Sequence, residues 1–433
     1  MVILERAPER ESADREKVLR AVDELADDLV ETLRAMVRIP TVNPPGECYE
    51  QFCAHYAGLL SGLGYRTEIV RVPDALLPEL APFGDGGSRP SVLADLDGPG
   101  GPGPVVHLNG HYDVVRVGNG WSRDPFSGAV VDGRVHGRGT ADQKSGLAAA
   151  VIAVEALRRS GVGWSGRVTH SAVPDEETTG VRNAGTGYLV ESGHINAENT
   201  GAVVITEPFS PTGVGVGHKG AIWGKLTITG KQAHGSSPQL GANAVEAVAR
   251  ALNRVEVELR PELARRISEH AVTPEGSTSA TLSFDTISGG EATNIVPDRC
   301  EVAFNRRLVP GETLRNAREE LLGVFESVCS EQDGLALHYA ESYSTEPVLV
   351  GADEPIVASA EAAISALGAT PRRLLSAGSD DQRFFVRDAG ITNAVVYGPG
   401  RTGLSHTSDE HIDVEDLVAG TRGLALILLD QLG

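Results

Sequence analysis

The chain has 433 residues, a length that suggests two or three domains and leaves ample material to bury a core. Its formal net charge of −21 argues against a nucleic-acid or anionic-membrane partner, either of which calls for a basic patch. No apolar run is long enough to span a bilayer, and the charged start MVILERAPERESADREK lacks the apolar stretch of a signal peptide. Cys48, Cys53, Cys300 and Cys329 form no CxxC pair, so a cytoplasmic protein with reduced thiols is expected.

Residues 1–15 are polar and expected to be loosely ordered. Val18, Val22, Leu25, Leu29, Leu33 and Val37 then recur at helical spacing, predicting one helix over 14–38 that Pro40 stops. TVNPPG is a turn, a second helix covers roughly 50–63 with Gly64 as its C-cap, and RTEIVRV is a strand. The Gly- and Pro-rich stretch 73–103 reads as surface loops around one short strand, SVLADL. The central strand, 104–110, leads into a hairpin-like excursion to Val135 and a helix from Lys144. GRVTHSAV, a helix at about 182–192 and AVVITEP continue an alternation that predicts a mainly parallel, doubly wound α/β sheet. After Gly217 the order becomes β-α-β-β-α-β, that of a ferredoxin-like α+β sandwich, before α/β elements resume. The expected boundaries are 1–217 and 346–433 for a catalytic domain and 218–345 for an inserted domain.

Ligands of open α/β sheets bind outside the carboxyl ends of the strands. Imidazoles and carboxylates gather at those ends here. His111 and Asp113 close the central strand, and Asp142 ends the Gly-rich turn GRGTAD just before a helix. Glu176 and Glu177 follow GRVTHSAV, Glu207 follows AVVIT, and His406 sits in GLSHTSDE after the last strand. Taken singly, each reads as an ordinary charged loop. As a set they offer two His, one Asp and two Glu, enough for two three-ligand zinc sites if one carboxylate bridges. One glutamate is left over beside a ligand, placed to take a proton from water. GVGVGHKG lacks the GxxxxGK[ST] spacing and precedes a strand, so it reads as a domain junction and not a phosphate loop. His107 reads as packed core. His55, His136, His170, His194, His270 and His338 fall outside any motif, while His218 and His411 sit near motifs without a clear part in one.

The runs IPTVNPPG, GHYDVV, WSRDPFSG, GRGTADQKSG, PDEETTG, TEP, KQAHGSSPQLGANAV, NIVPDRCEVAFNRR, AGSDDQRFF and GPG…SHTSDEHI occur in that order. With them, the chain from about residue 37 onward resembles the dinuclear-zinc amidohydrolases and peptidases that include acetylornithine deacetylase, succinyl-diaminopimelate desuccinylase, aminoacylase and glutamate carboxypeptidase. The resemblance implies a catalytic α/β domain interrupted by a ferredoxin-like lid that also dimerises. It implies two divalent ions, zinc with cobalt or manganese as substitutes: His111 and Glu207 on one, Glu177 and His406 on the other, and Asp142 bridging. Asp113 would orient His111, and Glu176 would be the general base. His234 would reach the active site of a second subunit and stabilise the oxyanion there. Asn294 and Arg307 would hold the substrate carboxylate, with Gly378 presenting backbone to it. A cis peptide between Asp142 and Gln143 is implied as well. Two positions depart from the pattern: Gln143 stands where many members have Met, and AGSDD stands where many have a GGTD-like run, beside Gly378 and the specificity region. The expected function is hydrolysis of the amide bond of an N-acyl amino acid or related small amide by a homodimer. The alternatives are a dipeptidase or carboxypeptidase of the same family and, in another class, an inactive binding or scaffold relative.

Overall fold

A computed structural model describes residues 8–178, 182–209 and 212–433. Residues 1–7 and the end of the PDEETTG stretch, 179–180, lie outside the described residues. The chain forms two compact units. One comprises the chain to Gly217 with Val350–Leu374 and Asp380–Gly433; the other comprises His218–Leu349 with Leu375–Ser379.

In the first unit the large sheet, which Gly213–His218 continues in antiparallel pairing beyond Ala394–Val396, includes six neighbouring strands in the order Arg66–Arg71, Pro90–Asp97, Arg167–Val173, Val105–His111, Ala202–Ile205, Ala394–Val396. The last four of these six are parallel neighbours, and the first two are antiparallel additions at the edge. Strands covered on both faces read as unbroken apolar runs. Ala202–Ile205 is buried throughout, as is Val105–His111 after its first residue. Helices Lys144–Arg159 and Val414–Leu432 lie against each other and against Val105–His111. The register pairs His111 with Val173, Asn109 with Ile205, and Val396 with Ile205. The loops after these strands therefore leave from one rim, and this is what brings distant motifs together.

The N-terminal helix starts earlier than its apolar spacing suggests. Residues 8–15, expected to be loosely ordered, belong to the helix Pro8–Glu24, and a second helix, Ala26–Val37, follows a break at Leu25. Val18, Val22, Leu25, Leu29, Leu33 and Val37 are all buried, so the apolar stripe continues across the break. The first turns are polar, and helix extends into them because the packed turns that follow supply the costly nucleus. The excursion after the central strand holds Ala129–Val131 and Arg134–His136, and His411–Asp413 joins them in a three-stranded antiparallel sheet.

The second unit has the antiparallel order Thr281–Gly289, Arg299–Leu308, Gly220–Thr229, Ala336–Thr345, with helices Ala244–Arg254 and Leu314–Cys329 packed on one face. That is the ferredoxin-like arrangement. Asn243 and Thr313 cap the two helices by accepting backbone N–H groups from their first turns. The buried stripe of the first helix is Ala244, Ala247, Val248 and Ala251, continued by Val255; Val245 and Leu252 are partly buried and Ala249 is exposed. Small alanines let that helix approach the sheet closely. No helix of the described residues is long and apolar enough to cross a membrane.

Candidate active site

Four strand ends and one distant loop build the site in the first unit. His111 closes its strand with a buried side chain, and its Nε2 lies 3.1 Å from Asp142 Oδ1 and 3.6 Å from Glu207 Oε1. The other oxygen of Asp142 faces the half-exposed His406, 3.5 Å from Nε2, and His406 Nε2 lies 2.9 Å from Glu177 Oε2. Two groups of three donors result, His111–Asp142–Glu207 and Asp142–Glu177–His406, and they share Asp142. Two zinc–ligand bonds of about 2.0–2.1 Å at a tetrahedral angle hold their donor atoms roughly 3.3 Å apart. The observed separations of 2.9–3.6 Å bracket that value. Glu207 Oε1 is buried without a hydrogen-bond donor among the described residues, the state of an oxygen reserved for a cation. The donor set fits divalent metal ions.

Close approach at this rim depends on glycine. A Cβ at Gly146, in the first turn of Lys144–Arg159, would stand 1.9 Å from the Thr206 carbonyl oxygen, and one at Gly110 would meet Leu147, Gln143 and Thr206. The helix thus seats against the strand end that carries Glu207. The Asp142–Gln143 peptide is cis, as the resemblance implies, and Gln143 Oε1 accepts the Thr206 hydroxyl at 3.1 Å.

Crowded acids shift one another. Burial first, and the charge of Glu207 next, push the Glu176 carboxyl well above the usual range. Glu207 and Glu177 are raised by burial and then by Asp142. Asp142 is lowered: burial opposes this, but its hydrogen bond to His111 and the charges of His111 and His406 outweigh it. His111 is raised well above its ordinary value, burial being outweighed by Asp113, Asp142, Glu207 and Glu176. The hydrogen bond to Glu177 raises His406 to about 9. Glu176 Oε2 stands 4.0 Å from His111 Nε2 and belongs to neither donor group.

Asp113 is a hub. His111 Nδ1 lies 3.0 Å from the Asp113 backbone carbonyl and 3.5 Å from its carboxylate. That carboxylate accepts the backbone N–H groups of Glu176 and Glu177, each at 3.2 Å, and Asn43 Nδ2 at 2.9 Å. It holds the two glutamates as well as facing the imidazole. The preceding residue, Asp175, takes φ +62° and is equally well held. Its oxygens accept Arg89 Nε at 2.8 Å, Tyr49 Oη at 2.9 Å and Asn43 Nδ2 at 3.0 Å. Sequence reasoning passed over Asn43, Tyr49, Arg89 and Asp175. Asn43 and Asp175 lie inside quoted motifs, which was a usable signal; Arg89, in a Gly-rich loop, carried none. His107 is core as expected, buried between Thr169 Oγ1 and Ser171 Oγ.

The remaining expected residues belong to the second unit. His234 is exposed, and its Nδ1 accepts the Ser236 backbone N–H at 3.1 Å. Gly235 N donates to the Asn294 carbonyl, so the loops of His234 and Asn294 adjoin. Arg307 lies on Arg299–Leu308 with its guanidinium 5.4 Å over the Trp223 ring. The Gly378 N–H is engaged by Ser376 Oγ at 3.2 Å. After that glycine the AGSDD run returns to the first unit with two buried acids, Asp380 and Asp381, both raised to about 6 by burial. Asp381 accepts the Thr186 hydroxyl at 2.6 Å.

The profile of Peptidase family M20/M25/M40 matches residues 107–430. Succinyl-diaminopimelate desuccinylase of Methylobacterium radiotolerans is 31% identical over 361 residues, spanning 80% of this chain and 87% of that one. Among solved structures, aminopeptidase PepT from Bacillus cereus gives a TM-score of 0.73 at 20% identity, covering 94% of this chain and 98% of that one. The YXEP protein of Bacillus subtilis, described as a dinuclear metal binding peptidase from the M20 family, gives 0.67 at 18% identity, covering 94% and 98%. At those identities the structural likeness is one of fold. The chain belongs to peptidase family M20/M25/M40. It is a hydrolase that acts on amide bonds.

Proposed function

We propose that this hydrolase is a dinuclear-zinc deacylase that cleaves the amide bond of an N-acyl amino acid or a related small amide. The observation that carries the reading is the pair of three-donor groups sharing Asp142, with Glu176 beside them. His111 and Glu207 would hold one ion, Glu177 and His406 the other, with Asp142 between; zinc suits the imidazole–carboxylate set, and cobalt or manganese would substitute. Bound there, such ions polarise a carbonyl oxygen and lower the pKa of a water to about 7. Glu176 takes the proton of the attacking water and returns it to the leaving nitrogen. Asp113, through the Glu176 backbone N–H, keeps that carboxylate pitched at the rim. His234 accepts at Nδ1, so its proton sits on Nε2, ready to be donated to the oxyanion. Asn294 and Arg307 take the substrate carboxylate, the arginine through its planar fork. Gly378 would present its backbone to the same carboxylate, with its N–H also in reach of Ser376 Oγ.

The acyl group to try first is succinyl, from the name of the relative. The test is metal analysis followed by a panel of N-succinyl and N-acetyl amino acids and dipeptides. We expect two equivalents of zinc, loss of turnover on chelation with recovery on zinc addition, and preference for the N-acyl amino acids. Preference for dipeptides moves the reading to the dipeptidase alternative, and a protein that binds no metal ends it.

The second unit is read as lid and dimerisation domain of a cytoplasmic homodimer, with His234 acting in the site of the other subunit. The free state of all four cysteines suits the cytoplasm. Mixing inactive His234→Ala with inactive Glu176→Gln should then restore activity, because one hybrid site combines an intact Glu176 with a His234 from the neighbouring subunit. Confirmed subunit exchange without recovered turnover rules the trans arrangement out.

A further inference from the structure

The Gly-rich turn that delivers Asp142 is an anion nest, and its occupant is a side chain of this same chain. Gly139, at φ +88°, bends the turn so that three backbone N–H groups converge on one oxygen. Glu410 Oε1 accepts from Gly139 N at 3.0 Å, Ala141 N at 2.8 Å and Asp142 N at 3.2 Å. Its Oε2 accepts Arg138 Nη1 at 2.5 Å. The two side chains are 0% and 2% exposed, and Trp121 lies under the guanidinium, 5.2 Å away. Nests of successive N–H groups bind anions, often phosphate or sulfur clusters. Here the anion comes four residues after His406. The attachment is reinforced where Gly137 N donates to the Glu410 carbonyl and where His411–Asp413 pairs with Arg134–His136. One carboxylate therefore fastens the turn of Asp142 to the loop of His406.

We propose that Glu410 is a positioning residue that sets Asp142 and His406 at the separation one metal ion requires, with Arg138 fixing the Glu410 carboxylate in the nest. The proposal rests on the reading of this rim as a metal centre. An ordinary loop contact does not need a fully buried charge, three N–H donors on one oxygen and a buried counterion. Glutamine has the same shape as glutamate but cannot do the same work. Its single oxygen can face the nest or Arg138, and its amide group then confronts donors on the other side.

The experiment is competition for zinc between a chromophoric chelator and the full-length protein, wild type and Glu410→Gln, with circular dichroism confirming that both are folded. Removing an outer partner of a metal ligand typically weakens binding about 10–100-fold, and we expect one of the two ions to be released that much more readily by the variant. Amide hydrogen exchange of the metal-free proteins supplies a second readout, with faster exchange at Gly139, Ala141 and Asp142 expected in the variant. Should Glu410→Gln not fold, the double variant Arg138→Met, Glu410→Gln removes the stranded cation and leaves the nest without its anion; the same weakening is expected there. A folded variant holding both ions within twofold of wild type overturns the proposal while the metal reading stands. A wild-type protein that takes up fewer than two ions overturns both.

Discussion

Glu176→Gln will keep the fold and both metal ions and lose turnover by about 10²–10⁴-fold, the usual cost of removing a general base. Glu176 belongs to neither three-donor group, so its replacement leaves the proposed ligands intact. Its backbone N–H remains on Asp113, and the glutamine side chain has the same shape, so the loop has no reason to move. Only the capacity to accept a proton disappears. Burial and the neighbouring charge of Glu207 raise the carboxyl above its usual range, which makes the carboxylate a stronger base. Metal content and kcat/KM measured on the same preparation decide the matter. Near-normal turnover with both ions bound removes Glu176 from the role.

Arg89→Met will destabilise the protein by about 3–5 kcal/mol, the usual cost of stranding one member of a buried ion pair. Folded domains hold only about 5–15 kcal/mol in total, so this is a large share. The Arg89 and Asp175 side chains are 1% and 2% exposed, and Nε stands 2.8 Å from the carboxylate. In the variant Asp175 keeps Asn43 and Tyr49 as donors but loses its cation. Burial, followed by the charge of Asp113, already raises Asp175 to about 6, against the lowering effect of Arg89. Without Arg89 it rises further. A carboxyl whose pKa is higher folded than unfolded loses stability as pH rises through the folded value. The deficit should therefore be smaller near pH 5 and larger near pH 8. Urea denaturation of both proteins at the two pH values measures it. A difference under about 1 kcal/mol at pH 8, where breaking a buried pair is expected to cost 3–5, would mean that Asp175 does not depend on this arginine.

Much of the architecture is legible in the chain because strands, helices and turns are written locally. AVVI and VVHLN are unbroken apolar runs because parallel central strands are covered on both faces. RCEVAFNRRL alternates because one face of its sheet carries helices and the other does not. The order of strands and helices after Gly217 is enough to suggest the ferredoxin-like unit. The donors were visible for a related reason: parallel strands in register end at one rim, so acids and imidazoles just past strand ends are candidates for one site.

Tertiary structure decided the rest, and in each case the deciding partner is far away in the chain. The exposed edge of Ala129–His136 becomes an interior position only when His411–Asp413 arrives from the other end. The helix Ala244–Arg254 carries apolar residues on a broad face, and contact with the sheet buries Ala244, Ala247, Val248 and Ala251 while Ala249 is left exposed. Glu410 and Arg138 read as loop charges, Arg89 as a surface cation and Asn43 as a turn residue. A charge can be buried when a matching charge or several N–H groups surround it. Those surroundings come from segments that local spacing cannot connect. Asp142 is an acidic residue before a helix in any one-dimensional reading; that its two oxygens face His111 and His406 separately is a property of the folded rim alone.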